Sequence, residues 1–317
     1  MIRMEHLYWL VGALFAAWAL LSLFDRSNRK RIGNALFWGL MAASLLGGSY
    51  FGDFGNGLIV LGLAGLAGFG FVGRGHPKTT SEVERKAFAD LRGNKLFLPA
   101  LIIPFVALAG TLLYNYTPLG QQGWIEPKRE TYAFLVLGVL LALLVICAWL
   151  RPPAIAPVEE GRRLIDAIGW AAVLPQLLAA LGTVFAAAHV GDIVGEGTRA
   201  AIPDGNVFLT VVVYGVGMAL FTMIMGNAFA AFPVMAAAIG VPLLIRTYGG
   251  DPAVIAAVGM LAGFCGTLMT PMAANFNLVP AALLELRDRN AVVKAQVMTA
   301  LPLLAFNIAM LYWFGFK

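Results

Sequence analysis

The chain has 317 residues, of which 60% are hydrophobic and 12% charged, with a mean hydropathy of +0.81. A soluble domain carries about 45–50% apolar and about 25% charged residues, so this composition describes a polytopic membrane protein and excludes a soluble enzyme or binding module. The formal net charge of +5 is explained by where the basic residues sit, not by an anionic polymer as partner, and nucleic-acid binding is not expected.

Taken in order, apolar runs near the roughly 20 residues that span hydrocarbon occur at His6 to Phe24, Gly33 to Phe51, Gly57 to Gly73, Leu96 to Tyr114, Tyr132 to Leu150, Leu164 to Val190 and Val297 to Phe314. Two longer uncharged stretches lie between the last two. No cleavable leader is read in the first run, which is full length and is followed by Arg26, Arg29, Lys30 and Arg31. If the N-terminus faces outside, the inner connections are Asp25 to Arg31, Arg74 to Lys95, Arg151 to Arg163 and Glu285 to Gln296. They hold 16 of the 22 Lys and Arg residues, the bias that the positive-inside rule demands. The basic charge therefore reports orientation, with both termini outside, and contact with anionic lipid heads.

The longest polar connection, Arg74 to Lys95, is too short for a catalytic domain. Within it Ser81-x-x-Glu84 reads as a capping box, opening a short helix whose Val83, Ala87, Phe88 and Leu91 recur at helical spacing and would lie on the membrane surface. The glycine-rich outer segment Gly191 to Gly205, with Asp192, Glu196, Arg199 and Asp204, reads as a loop. Cys147 and Cys265 lie inside apolar runs, as packing residues and not as disulfide partners or metal ligands. No deep carboxylate is read in any span, Asp166 falling near an inner end. With no Ser after Ser81 and no paired intramembrane Asp, intramembrane proteolysis is excluded and no enzyme is expected.

The last third carries the chemistry. Gly205 to Ile245 is uncharged for 41 residues, enough for two crossings joined by a tight turn at Gly226-Asn227, the one inner connection without Lys or Arg. A break is therefore expected over 226–233, ending at Pro233. Pro252 to Leu284 is uncharged for 33 residues; as one straight helix it would measure roughly 50 Å against a hydrocarbon core of about 30 Å. It must bend or break, and Gly266, Pro271 and Pro280, with Thr267, Thr270, Asn275 and Asn277, place that break over 266–280. Backbone groups freed inside a bilayer cost several kcal/mol each unless protein or a wet cavity satisfies them, so a break at membrane depth points to a binding site. Freed carbonyls and the hydroxyls of Thr267 and Thr270 would suit sodium as a coupling ion. The helix restarting at Leu278 would present N–H groups to a carboxylate. Single Pro or Thr residues are common in membrane helix packing; it is the clustering of Asn227, Thr267, Thr270, Asn275 and Asn277 that favours a site. Phe229 and Phe276 would close the cavity, and Gln176, beside Pro175, is a weaker candidate.

The blocks GMALFTMIMGNAFAAFPVM (Gly217 to Met235) and GMLAGFCGTLMTPMAANFNLVPAALLEL (Gly259 to Leu286) resemble a bacterial membrane family identified with one subunit of an oxoproline (pyroglutamate) transporter, and the resemblance runs the whole length. It implies a second, smaller membrane subunit and kinship with the ion-transporter superfamily of organic-anion carriers, which use re-entrant hairpins and discontinuous helices. It supplies no residue-level mechanism.

The expected fold is all-α, with about ten crossings and re-entrant or discontinuous helices in the C-terminal third. It forms a single integral membrane domain divided into a three-span part (1–95) and a transport core (96–317). The expected function is that of a subunit of a secondary transporter for a small organic anion, most simply pyroglutamate. A non-transporting scaffold for a partner is the competing class, and a channel the third. The partners are the lipid bilayer, the anion, the smaller subunit and, as another assembly, a homo-oligomer.

Overall fold

A computed structural model describes residues 1–75, 79–201, 203 and 205–316. Lys78 of the Arg74 to Lys95 connection, Ile202 and Asp204 of the outer segment, and Lys317 lie outside the described residues. The chain is all-α, 80% helical with no strand among the described residues, and is a multi-pass membrane protein by the length and apolarity of its helices. By contacts it divides into two compact units, Met1–Asp166 and Ala167–Lys317. The division does not fall at 95, because the helix pair that follows residue 95 belongs to the first unit.

The first unit contains α1 (Met4–Phe24), α2 (Arg31–Gly68), α3 (Glu82–Arg92), α4 (Phe97–Tyr116), α5 (Glu130–Leu150) and most of α6 (Ala156–Ile168). The 38 residues of α2 are interrupted at Gly52, whose φ of 61° and ψ of −176° are open to glycine and strained for other residues. The chain folds back there: Gly62 packs on Leu40, and the Asn34 side chain exchanges two hydrogen bonds with the Gly73 backbone (2.6 and 2.8 Å). At the other end of the unit the N-terminus is tied to the loop before α5, by Ile2 N–H to the Trp124 carbonyl (2.6 Å) and Met4 N–H to the Glu126 carboxylate (3.1 Å). The Ser81–Glu84 capping box forms as expected, with Ser81 N–H on Glu84 at 2.7 Å and Glu84 N–H on Ser81 Oγ at 3.2 Å. It opens α3, whose Val83 and Leu91 are exposed.

The second unit contains α7 (Leu174–Ala187), α8 (Val190–Ala201), α9 (Val207–Met225), α10 (Ala228–Met235), a π-wound continuation of α10 over Ala236–Thr247, α11 (Pro252–Leu268), α12 (Leu278–Leu283) and α13 (Ala291–Gly315). One stripe of α9 is buried throughout, Val211, Tyr214, Met218, Thr222 and Met225, at the spacing of a single helix face. It meets a glycine ridge on α11. A Cβ on Gly259 would strike the Tyr214 hydroxyl, one on Gly263 would crowd Met218 and Thr222, and one on Gly266 would overlap the Ala219 carbonyl. Small residues permit such close approach of membrane helices.

Three expectations are corrected. Among the described residues, eight helices are long and apolar enough to cross a membrane, where about ten crossings were expected: Arg31–Gly68 counts once although Gly52 divides it, and Pro252–Leu268 is a shorter apolar helix of 17 residues. Gly191 to Gly205 is mostly helix, not loop, because Gly191 and Gly195, one turn apart, let α8 lie directly on the backbone at Val234 and Ala238. The first break is narrower than 226–233. Pro233 lies within α10, and the widened winding that follows accommodates its missing N–H without ending the helix.

Candidate functional site

The first break is a two-residue device. Gly226 ends α9 in the left-handed region (φ 67°), its N–H closing on the Thr222 carbonyl at 2.7 Å. Asn227 is extended, and its side-chain oxygen accepts from Phe229 N–H (2.9 Å), capping α10. A side chain at Gly226 would collide with the Met272 carbonyl, so the turn is pressed against the second break.

That second break spans Met269 to Asn277, between α11 and α12. Asn277 is fully buried, and its amide donates to the Thr267 carbonyl (2.8 Å) and the Thr270 carbonyl (2.7 Å). Those are carbonyls that the broken helix would otherwise leave bare. Thr270 Oγ donates to the Met223 carbonyl of α9 (2.9 Å) and accepts from Met272 N–H (3.2 Å), which locks the two breaks together. Thr267 Oγ donates back to the Phe264 carbonyl at 2.6 Å.

Depth follows from the helix lengths. α11 starts where α13 ends, Asp251 N–H bonding the Gly315 carbonyl at 2.7 Å. From there the 25 residues of α13 cover about 37 Å and the 17 of α11 about 25 Å, so α11 stops about 12 Å short of the other end of α13, level with the first residues of the apolar run that begins at Val297. The Phe208–Tyr312 ring contact (5.3 Å) starts α9 near the same end, which puts Gly226 at a similar depth.

The sequence-predicted residues separate into two groups. Thr267, Thr270 and Asn277 are buried and bonded to one another's backbone or to α9. Asn275, Phe276 and Pro271 are exposed, as is Phe229, which stacks edge-on against Phe264 (5.5 Å). Pro280 lies within α12, and Gln176 is exposed on α7. The oxygens expected to hold sodium are thus engaged inside the chain. At the restart of the helix, α12 has six residues, Val279 N–H is bonded to the Ala274 carbonyl (2.8 Å), Ala281 N–H to the Asn277 carbonyl (3.3 Å), and Pro280 has no N–H.

Sequence reasoning missed several buried polar groups. In the second unit, Tyr214 OH, Thr222 Oγ and the second amide atom of Asn277, Oδ1, are buried without a partner among the described residues. Asn307 donates to Cys265 Sγ (3.4 Å). Tyr214 and Thr222 were open to detection, being two turns apart on the apolar stripe of α9. In the first unit Asp166 is 4% exposed and its Oδ1 accepts from Trp38 Nε1 (2.8 Å) and Asn34 Nδ2 (3.0 Å). These partners lie far away in sequence, so no local pattern announces them.

Helices broken in pairs at matched depth, within an all-α multi-pass chain, define the class: an integral membrane protein with discontinuous helices. The chain belongs to the DUF979 family, described as a protein of unknown function, whose match covers residues 5–316. No curated protein and no solved structure matches it.

Proposed function

We propose that the chain is a subunit of a secondary transporter that moves a small organic anion across the bacterial inner membrane, with pyroglutamate the first substrate to test. The observation that carries this reading is the pair of helix breaks, locked to one another by Thr270 Oγ on the Met223 carbonyl inside two uncharged stretches of membrane length. Irregular backbone within such stretches is where carriers bind their cargo. Asn275 and Phe276 on one break and Phe229 on the other remain exposed to meet an anion with an amide ring. The resemblance to the oxoproline transporter subunit supplies the substrate and calls for a smaller partner subunit. Both termini face outside, and the Arg74 to Lys95 connection faces the cytoplasm; labelling of a cysteine at Ser81 by an impermeant reagent in intact cells would reverse that orientation.

The internal hydrogen bonds made by the Asn277 amide N–H groups and by Thr267 and Thr270 favour a second reading, in which the breaks only shape a scaffold for the partner. Thermal-shift measurements on the purified chain with pyroglutamate, glutamate and proline, with and without sodium, separate the two. A carrier subunit is stabilised by one of the anions, by RT ln(1 + [L]/Kd); a scaffold is stabilised by none.

A further inference from the structure

The first unit holds a buried carboxylate that the paired breaks do not use. Asp166 is 4% exposed, and around it Asn34 and Trp38 are fully buried and Arg162 is 3% exposed. Its two oxygens are treated unequally. Oδ1 accepts from Trp38 Nε1 (2.8 Å) and from Asn34 Nδ2 (3.0 Å), whereas Oδ2 is buried with no partner among the described residues. An ionised carboxylate needs donors on both oxygens, and an unpaired charge in such surroundings is strongly disfavoured. The nearby cation does not supply the deficit. Arg162 gives Nε–H to Glu159 (2.9 Å) and Nη1 to Asp25 (2.9 Å) and the Leu21 carbonyl (3.4 Å), and makes no hydrogen bond to Asp166 Oδ2.

Among the described residues, the charges near Asp166 agree with this imbalance. α6 contributes Arg162 and Glu159, and the end of α1 contributes Asp25. α2 contributes the neutral Asn34 and Trp38, and Gly73 offers only backbone, already bonded to Asn28 and Asn34. Lys30, beside Gly73, directs its ammonium towards Gly70. One guanidinium therefore already faces two carboxylates, and an ionised Asp166 would be a third. A metal cation is a poor remedy, since a single free oxygen is too few ligands. One proton is the ligand that fits: an O–H bond formed at Oδ2 leaves Oδ1 as a carbonyl-type acceptor of two hydrogen bonds, which is the arrangement observed.

We propose that Asp166 is a proton-binding site, holding on Oδ2 the proton that this chain exchanges with water as the coupling ion of transport. Ionisable groups buried in membrane proteins commonly mark proton relays. The proposal deepens the transporter reading and rests on it, and replaces sodium with a proton. Two measurements are required. In the purified chain, the infrared carbonyl band of a protonated carboxylic acid should be present at mildly acidic pH, disappear as the pH is raised through neutrality, and be missing in Asp166→Asn, which keeps an oxygen for Trp38 and Asn34 and puts an N–H where the proton sits. The wild-type titration serves if the variant fails to fold. In proteoliposomes containing the smaller subunit, labelled pyroglutamate should accumulate roughly tenfold more for each unit of inward pH gradient if one proton accompanies each anion, and Asp166→Asn should lose that response. Absence of the band while uptake persists overturns the proton site alone, as does a variant that follows the gradient like the wild type. A band without uptake of any anion by the wild-type pair overturns the coupling role together with the transporter reading.

Discussion

Replacing Asn277 with alanine tests the construction of the paired breaks. The wild-type amide is fully buried and donates to the Thr267 carbonyl at 2.8 Å and the Thr270 carbonyl at 2.7 Å. Truncation leaves two buried carbonyls bare, at about 1–3 kcal/mol each. Asn277 Oδ1 is itself buried without a partner, so its removal returns part of that loss, and a net cost of about 2–5 kcal/mol is expected. For a cooperative unit of this size the melting temperature falls by about 2–4 °C per kcal/mol, giving a drop on the order of 10 °C. Asn277→Asp keeps the shape but replaces the donor with an acceptor facing two carbonyls, and should be worse. The assay is a melting curve of purified protein in detergent, followed through a fluorescent thiol probe at Cys265, which is buried in the same unit. If Asn277→Ala melts with the wild type, the break is not held by this amide. The sequence alone suggests that this variant would lose uptake and keep its fold; the bonds instead assign Asn277 a structural part.

The other predictions concern the same framework. Thr270→Val removes the hydroxyl link to the Met223 carbonyl and should lower stability by about 1–2 kcal/mol, measured as a shift in denaturation midpoint. Gly226→Ala introduces a side chain at φ 67° against the Met272 carbonyl and should destabilise by more than about 1 kcal/mol, seen as a lower melting temperature. Burial would raise the Asp25 carboxyl, but its bonds to Ser27 and the Arg162 guanidinium outweigh that and hold it below the usual carboxylate range. Its contribution is therefore complete above the unfolded carboxylate pKa and is lost as the pH falls through the lower folded value, so Asp25→Asn should flatten the acid limb of a plot of melting temperature against pH.

Much of this architecture is legible in the sequence because it rests on local rules. The runs Gly33 to Phe51 and Gly57 to Gly73 flank Gly52, where α2 turns back. A Gly-Asn pair in an uncharged stretch marks a helix end, with glycine as the left-handed cap and Asn as the next N-cap. The second uncharged stretch was too long to be straight, and its break falls on the Thr270 to Asn277 cluster. What stayed hidden depends on partners distant in sequence. Asn277 reads as a ligand until the Thr267 and Thr270 carbonyls are seen against it. Asp166 reads as a residue near a membrane surface until Asn34 and Trp38 enclose it. Pro233 looked like a stop because the rule for proline is local, whereas the π winding that absorbs it involves the whole following segment.

The central claim is that the paired breaks serve transport, and uptake of labelled pyroglutamate into proteoliposomes carrying this chain and the smaller subunit tests it most directly. Asn275 and Phe276 are exposed on the second break, so the double variant Asn275→Ala, Phe276→Ala should melt like the wild type. It should lose at least roughly tenfold in uptake, the equivalent of one good polar contact, and the smaller subunit alone should transport nothing. Uptake by the smaller subunit alone at the rate of the pair, or an unimpaired double variant, would contradict the claim and leave the chain a scaffold.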